Sequence, residues 1–223
     1  MRGKQYKDKL DPKTAAEGIQ LAHENATSLF LDAQLLFDNG RFERCVALSI
    51  LAIEEAGKPS LIRSILLTDD QKELKKEWNS YRKHTEKNLS WILPELAAKG
   101  AKHIEDLRPL FDKENDHGQV LDNLKQLSFY TDIFSKRKWS IPSEVIDKEL
   151  AEGILQTAKI MIKEKPDSLN SEVGLKLWVK HIKPVWKKDM IKMKQALINC
   201  YTEAEEIGLI EEGKTSEMVR FLL

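Results

Sequence analysis

The sequence predicts an all-α protein, a bundle of helices followed by a C-terminal helical extension. Only 10 glycines and 7 prolines occur in 223 residues, and the long segments between them carry apolar residues at helical spacing. No segment alternates polar and apolar residues with the β-branched enrichment of a strand. The run from Cys45 to Ile53 is apolar on every side, so we expect it at the centre of the fold.

The first third of the chain predicts three long helices. Helix one covers about residues 13–39 and ends at the Asn39-Gly40 stop signal. Helix two covers about residues 42–67 and contains the apolar run. Helix three follows the Thr68-Asp69-Asp70 cap, with acidic residues in its first turn, and continues to about Trp91.

The remainder predicts shorter helices separated by loops. Residues 112–118 and 166–174 are expected loops, and Ser140 or Ser143 is the expected N-cap of the helix at Pro142. The predicted helices are residues 95–111, residues 119–134, residues 142–165, and one or two helices to residue 223 that break at Pro184. We expect a core over residues 1–145 with the helices of residues 146–223 packed on it, as one domain overall.

Composition excludes several classes of protein. Lys plus Arg and Asp plus Glu both number 36, so net charge gives no general attraction to nucleic acid. The longest apolar run, CVALSILAI, has 9 residues, whereas a membrane-spanning helix needs about 20. Cys45 and Cys200 are far apart in the chain, and we interpret both as reduced thiols. We therefore expect a cytoplasmic protein with no metal, no cofactor and no membrane partner.

Charged residues interrupt the most apolar helix. Glu54 and Lys58 lie one turn apart on one stripe of helix two, and Glu55 lies on the neighbouring stripe. One interpretation is a Glu54–Lys58 ion pair beside a bend at Pro59, with Glu55 bonded to a neighbouring helix. The other is a polar site in the core, where Gly57 lets another backbone or a ligand approach.

Two more polar groups are candidates to complete such a site. The apolar residues of helix three predict a buried stripe, and Arg82 and His84 flank it on opposite sides. Arginine can clamp a phosphate, and histidine can move a proton near neutral pH. Lys87 is expected to point away from this stripe. The next long helix carries Lys125, Tyr130 and Asp132 among apolar residues, and we expect Asp132 to pair with Arg82 or Lys58. One glutamate is expected to receive Arg82, Lys87 or a group near Tyr130 and Asp132. The catalytic candidates are Glu54, Glu55, Lys58, Arg82 and His84, and the binding candidates are Lys87, Lys125, Tyr130 and Asp132.

These polar groups lie in three stretches, NGRFERCVALSILAIEEAGK at residues 39–58, YRKHTEK at residues 81–87, and KQLSFYTD at residues 125–132 followed by a W-x-x-P pattern. Together they resemble the abortive infection protein AbiV family of bacterial phage-defence proteins, over about residues 15–145. That family is placed in the HEPN superfamily of helical bundles, many of which are dimeric ribonucleases. The resemblance therefore implies a HEPN-like bundle, a homodimer and a role in halting infected cells.

The resemblance leaves two functions open. The usual HEPN nuclease signature separates an Arg from a downstream His by several residues, whereas Arg82 and His84 have one residue between them. One hypothesis is an effector that arrests growth by binding a phage or host translation-related component, with a phage protein as trigger. The other is a metal-independent endoribonuclease, in which His84 moves the proton, Arg82 and Lys58 stabilise the phosphorane, and a glutamate orients them.

A basic segment near the C-terminus is a second candidate RNA-binding site. Residues 176–194 contain seven lysines and one aspartate, with Trp178 and Trp186 interleaved. These lysines suit a nucleic-acid backbone and the aromatics suit base stacking. We favour the alternative that the apolar side chains face the core and the lysines face water, paired with the acidic tail that follows.

Overall fold

The computed structural model describes residues 5–110, 116–134, 138–162 and 167–222. The bundle is almost entirely helical, as the sequence predicts. Its α-helices are α1 (Pro12–Asp38), α2 (Phe42–Leu67), α3 (Gln71–Arg82), α4 (His84–Lys87), α5 (Leu93–Ala98), α6 (His117–Phe129), α7 (Pro142–Val145), α8 (Lys148–Met161), α9 (Glu172–His181), α10 (Met190–Glu206) and α11 (Lys214–Leu222). Short 3-10 helices lie at Leu89–Ile92, Ile104–Leu110, Ser168–Asn170 and Lys183–Val185. None of the helices in these ranges has the length and apolar character needed to cross a bilayer.

Helices α1 and α2 form a long helical hairpin around which the other helices pack. Asp11 caps α1 by accepting from the backbone N–H of Thr14 at 2.8 Å, and Gly40 adopts the positive φ that the turn requires. The apolar run of α2 is buried as expected, since Cys45, Ile50 and Ile53 have no exposed surface. Helix α2 continues through Pro59 to Leu67.

Two of the apolar clusters that contain α2 residues connect it to other helices of the bundle. The first joins the start of α2 to α6 and α8, through residues that include Ile50, Leu121 and Leu155. The second joins the end of α2 to α9 and α10, through residues that include Leu67, Leu177 and Cys200. Because α2 contributes to both clusters, it connects the N-terminal bundle to the C-terminal helices.

A buried carboxylate also ties these parts together. Glu77 of α3 accepts from the hydroxyl of Ser64 on α2 at 2.5 Å and from the ammonium of Lys187, in the turn before α10, at 2.5 Å. Lys187 holds a positive φ of 55°. A hydrogen-bonded ion pair on a nearly buried carboxylate thus links α2, α3 and the C-terminal helices.

Several predicted helix ends are wrong. Helix three ends at Arg82 rather than near Trp91, because Lys83 is extended (φ −82°, ψ 134°) and the chain restarts as the one-turn helix α4. No glycine or proline marks this break. The prediction for residues 95–111 is also wrong, since α5 ends at Ala98 and a 3-10 helix follows; Phe111 lies outside the described residues.

The predicted helix over residues 119–134 ends early. Helix α6 begins at His117, inside the expected loop, and stops at Phe129 because Tyr130 is extended; residues 112–115 lie outside the described part. Beyond it, β1 (Asp132–Phe134) and β2 (Lys138–Ser140) form a two-stranded antiparallel ribbon. β-Branched and aromatic residues in this stretch suit a strand. Neither Ser140 nor Ser143 is the cap expected near Pro142; Asp147 caps α8 by accepting from Leu150 N–H at 2.9 Å.

Candidate functional site

The carboxylate of Glu54 is the centre of a polar cluster in the bundle. The residue is 2% exposed, and its Oε2 lies 2.6 Å from Nδ1 of His84. Its Oε1 accepts a hydrogen bond from the Lys125 ammonium at 2.6 Å, and the ammonium of Lys87 lies 3.6 Å from Oε2. A buried carboxylate needs such partners, because losing water is costly for a charge.

Helix α4 brings two of these partners to Glu54 because two glycines let it pack closely. A Cβ at Gly57 of α2 would lie 2.1 Å from the carbonyl oxygen of Lys87, and a Cβ at Gly118 of α6 would lie 2.8 Å from that of Thr85. Any side chain at either position would collide with the α4 backbone. Gly57 therefore serves backbone approach, as the sequence suggested, and α4 is held between α2 and α6.

His84 is the part of the cluster that meets solvent. Its side chain is 54% exposed while that of Glu54 is 3% exposed. Nδ1 faces the carboxylate, and Nε2 makes no hydrogen bond within the described part of the chain. A carboxylate that orients an accessible imidazole is an arrangement that supports general acid–base chemistry or the binding of an anionic group.

Asp122 belongs to the cluster, and sequence reasoning missed it. Its carboxylate lies 2.7 Å from the Lys125 ammonium, three residues further along α6, and this spacing was the available signal. Ligand atoms of Glu54, His84 and Asp122 lie within 4.8 Å of one another. The Lys125 ammonium already donates to Glu54 and forms an ion pair with Asp122, so a metal ion would have to displace it. The donor set therefore suits an internal ion network better than a metal centre.

Glu54 and Glu55 have the opposite of the roles that the ion-pair interpretation gives them. The Lys58 ammonium pairs with Glu55 at 2.6 Å rather than with Glu54, and it lies 5.7 Å from the ring centre of Tyr81. Glu54, on the face shared with Ile50 and Gly57, is the one that reaches the neighbouring helices. Lys87 is buried, which corrects the expectation that it points away.

Arg82 lies outside the cluster. Its guanidinium donates to the carbonyl oxygens of Tyr6 at 2.6 Å and Trp78 at 3.1 Å, and it stacks on the Trp78 ring at 5.2 Å. The break at Lys83 turns Arg82 and His84 toward different partners. Arg82 thus holds the N-terminal segment, and the expected Arg82–Glu pair is not formed.

Tyr130 and Asp132 also lie apart from Glu54. Both are exposed at the start of the ribbon, where they line a surface cleft with Asn123, Gln126 and Leu127. The carboxylate of Asp132 accepts from the N–H of Ile133 at 2.7 Å. Since Arg82 and Lys58 are bonded elsewhere, the expected pairing of Asp132 with either residue is wrong.

The lysines of residues 176–194 are mostly engaged in ion pairs. Trp178, Trp186 and Met193 pack on the second apolar cluster, as the favoured alternative predicts. Pairing with the acidic tail is largely wrong, because among the described residues Glu203 is the one tail acid that pairs with these lysines. The pairs are Lys176–Glu172, Lys180–Glu203, Lys183–Asp69, Lys187–Glu77, Lys192–Asp189 and Lys194–Glu105. Lysines neutralised in this way offer little to a nucleic-acid backbone.

Comparison with models of protein families gives a match over most of the chain. The family model described as HEPN_AbiV: AbiV matches residues 14–163. This range contains Glu54, His84, Lys87, Asp122 and Lys125, so the whole cluster lies inside the matched region. Neither the curated proteins nor the solved structures contain a match.

Proposed function

Because the chain belongs to the AbiV family, whose HEPN domain indicates abortive infection and phage defence, we propose that it is an effector that arrests growth of infected cells. It does so by binding a phage or host component connected with translation, and a phage protein is its trigger. Residues 14–163 carry the effector surface. The exposed imidazole of His84, oriented by the buried Glu54, is the observation that supports this surface.

Binding accounts for the cluster better than catalysis does. An arginine that stabilises a phosphorane has to lie beside the imidazole, yet Arg82 is bonded to Tyr6 and Trp78. The two nearby ammonium groups, on Lys87 and Lys125, are buried and directed at Glu54. His84 is therefore the cluster side chain that a partner molecule reaches.

Phage infection of cells that express matched variants tests this proposal. His84→Ala removes the exposed ring and leaves the Glu54–Lys125 pair, so we expect normal folding and at least tenfold more plaques than wild type. His103→Ala is the control, since His103 is also exposed but lies outside the cluster. Full protection by His84→Ala would contradict the assignment of this surface.

The second candidate function is a metal-independent endoribonuclease. The 2.6 Å contact between Glu54 and Nδ1 of His84 favours it, because a carboxylate fixes the imidazole tautomer that a general base requires. Purified protein incubated with cellular RNA in EDTA separates the candidates. Cleavage that is lost in His84→Ala and kept in His103→Ala supports the nuclease, whereas intact RNA in all samples supports binding alone.

A second copy of the chain is the proposed partner of α1. Leu21, Leu31 and Leu35 are 57%, 60% and 63% exposed on this helix, and a dimer interface removes such side chains from water. We expect wild type to scatter light as a dimer of about 51 kDa, twice the 25.7 kDa chain. Leu31→Glu with Leu35→Glu should give a folded monomer, while Leu150→Glu on α8, as control, should remain dimeric. A monomeric wild type would overturn this proposal.

A further inference from the structure

A cleft separate from the Glu54 cluster lies between α1, α2, α5 and the end of α8. Its volume is about 270 Å³. Apolar side chains form much of its wall, and polar side chains converge at one end. Its lining includes Ile19, His23, Pro59, Arg63, Leu93 and Asn170, and it excludes Glu54, His84 and Lys125. This combination of an apolar wall and a few polar groups is typical of small-molecule sites.

The guanidinium of Arg63 is the unusual group in this cleft. Its Nη1 donates to Oδ1 of Asn170 at 2.5 Å, and the group stacks 5.0 Å from the ring centre of Trp178. Burial lowers the pKa of Arg63. A guanidinium has five N–H donors, yet no carboxylate in the described ranges lies within ion-pair distance of it.

The carboxylates of Glu55 and Asp167 also line the cleft, and each has a partner other than Arg63. Glu55 pairs with Lys58 at 2.6 Å, and the carboxylate of Asp167 accepts from the N–H of Leu169 at 2.9 Å. Asp167 acts on Arg63 through space and raises the pKa of Arg63, but less than burial lowers it. Arg63 is partly buried, and a desolvated cation without a bonded counter-ion is costly. The donors of Arg63 that bond no residue in the described ranges therefore suit an anion that enters the cleft.

We propose that the cleft binds a small molecule through an oxyanion head group, either a carboxylate or a phosphate monoester, that pairs with Arg63. Arg binds such groups through two parallel hydrogen bonds. The amide of Asn170 lies beside the head group, and the apolar part of the molecule packs against Ile19, Pro59 and Leu93. This site is independent of the function proposed for the Glu54 cluster.

Thermal melting of the full chain with inorganic phosphate or acetate tests the proposal, against chloride at equal ionic strength. At about ten times the dissociation constant we expect wild type to melt about 3–5 °C higher. Arg63→Lys keeps the charge and removes the fork, so it should lose at least half of this rise. Arg82→Lys is the matched control, because Arg82 also stacks on a tryptophan but lies outside the cleft. The anion with the larger Arg63-dependent rise identifies the head group.

Asn170→Asp provides a second, independent variant. It places a carboxylate directly on Arg63, so the protein without added anion should melt higher than wild type and should no longer respond to either anion. Phosphate stabilises proteins generally, and therefore only differences between variants count. Equal responses in all four proteins, or an Asn170→Asp variant that melts lower than wild type, would overturn the proposal.

Discussion

At the scale of single residues, two adjacent glutamates of α2 differ in what surrounds them. Glu54 is buried and touches the imidazole of His84 and the ammonium groups of Lys87 and Lys125, from α4 and α6. Glu55 pairs with Lys58 on its own helix, and the two side chains are 15% and 19% exposed. The same substitution should therefore have very different effects at the two positions.

We expect Glu54→Ala to destabilise the protein by about 3–5 kcal/mol, because it leaves buried ammonium groups without their carboxylate. The melting temperature should fall by about 10 °C. Glu55→Ala removes a local, partly buried pair worth about 1 kcal/mol, so it should melt within about 4 °C of wild type. Calorimetry checks both values, and a Glu54→Ala variant that melts like Glu55→Ala would show that the carboxylate is solvated.

At the scale of elements, the one-turn helix α4 depends on its neighbours. Four residues cannot form a stable helix alone, because nucleation is unfavourable. The contacts with Gly57 of α2 and Gly118 of α6 hold α4 in place. The position of His84 is thus decided by glycines on two other helices.

Gly57→Ala tests this dependence. The new Cβ would lie 2.1 Å from the carbonyl oxygen of Lys87, so α4 has to shift. We expect the free energy of unfolding to fall by about 2–4 kcal/mol and phage protection to be lost. Gly153→Ala is the control, since nothing lies within 4 Å of its Cβ, and it should stabilise α8 by about 0.5–1 kcal/mol. Melting curves of the two variants decide the matter. Equal stability in both would show that α4 is not tightly held.

At the scale of the whole molecule, ion pairs connect segments that are distant in sequence. Asp69, just after α2, lies 2.8 Å from the ammonium of Lys9 and 3.0 Å from that of Lys183. These lysines belong to the N-terminal segment and to the C-terminal helices. The hydrogen bonds from Lys9 and then Lys183 lower the pKa of Asp69.

Stability should depend on pH accordingly. Because the folded pKa of Asp69 is below the unfolded one, the pairs contribute above about pH 4 and are lost as pH falls through the folded pKa. We expect Asp69→Asn to melt below wild type at pH 6, with the difference disappearing in strong acid. Asp32→Asn on α1 is the control, because Asp32 forms no ion pair within the described residues, and it should melt like wild type at pH 6. A constant difference for Asp69→Asn at every pH would contradict this account.

Sequence alone determined the helical class and the long helices, because their caps and apolar periodicity are local properties. Asp70, in the Thr68-Asp69-Asp70 stretch expected to cap helix three, caps α3, and the apolar run in α2 is buried. The same information indicated the family through short motifs that surround Glu54, His84 and Lys125. These features depend on residues that lie close together in the chain, so they can be predicted from the sequence.

The tertiary structure decided which charges meet. Apolar residues surround α2 on every side, so its periodicity did not distinguish Glu54 from Glu55 as the buried residue. The break at Lys83 carries no local signal, and it follows from the packing of α4 against Gly57 and Gly118. That packing joins His84 to Glu54 and leaves Arg82 to the N-terminal segment, because close contact between distant backbones is a property of the folded chain and not of any one segment.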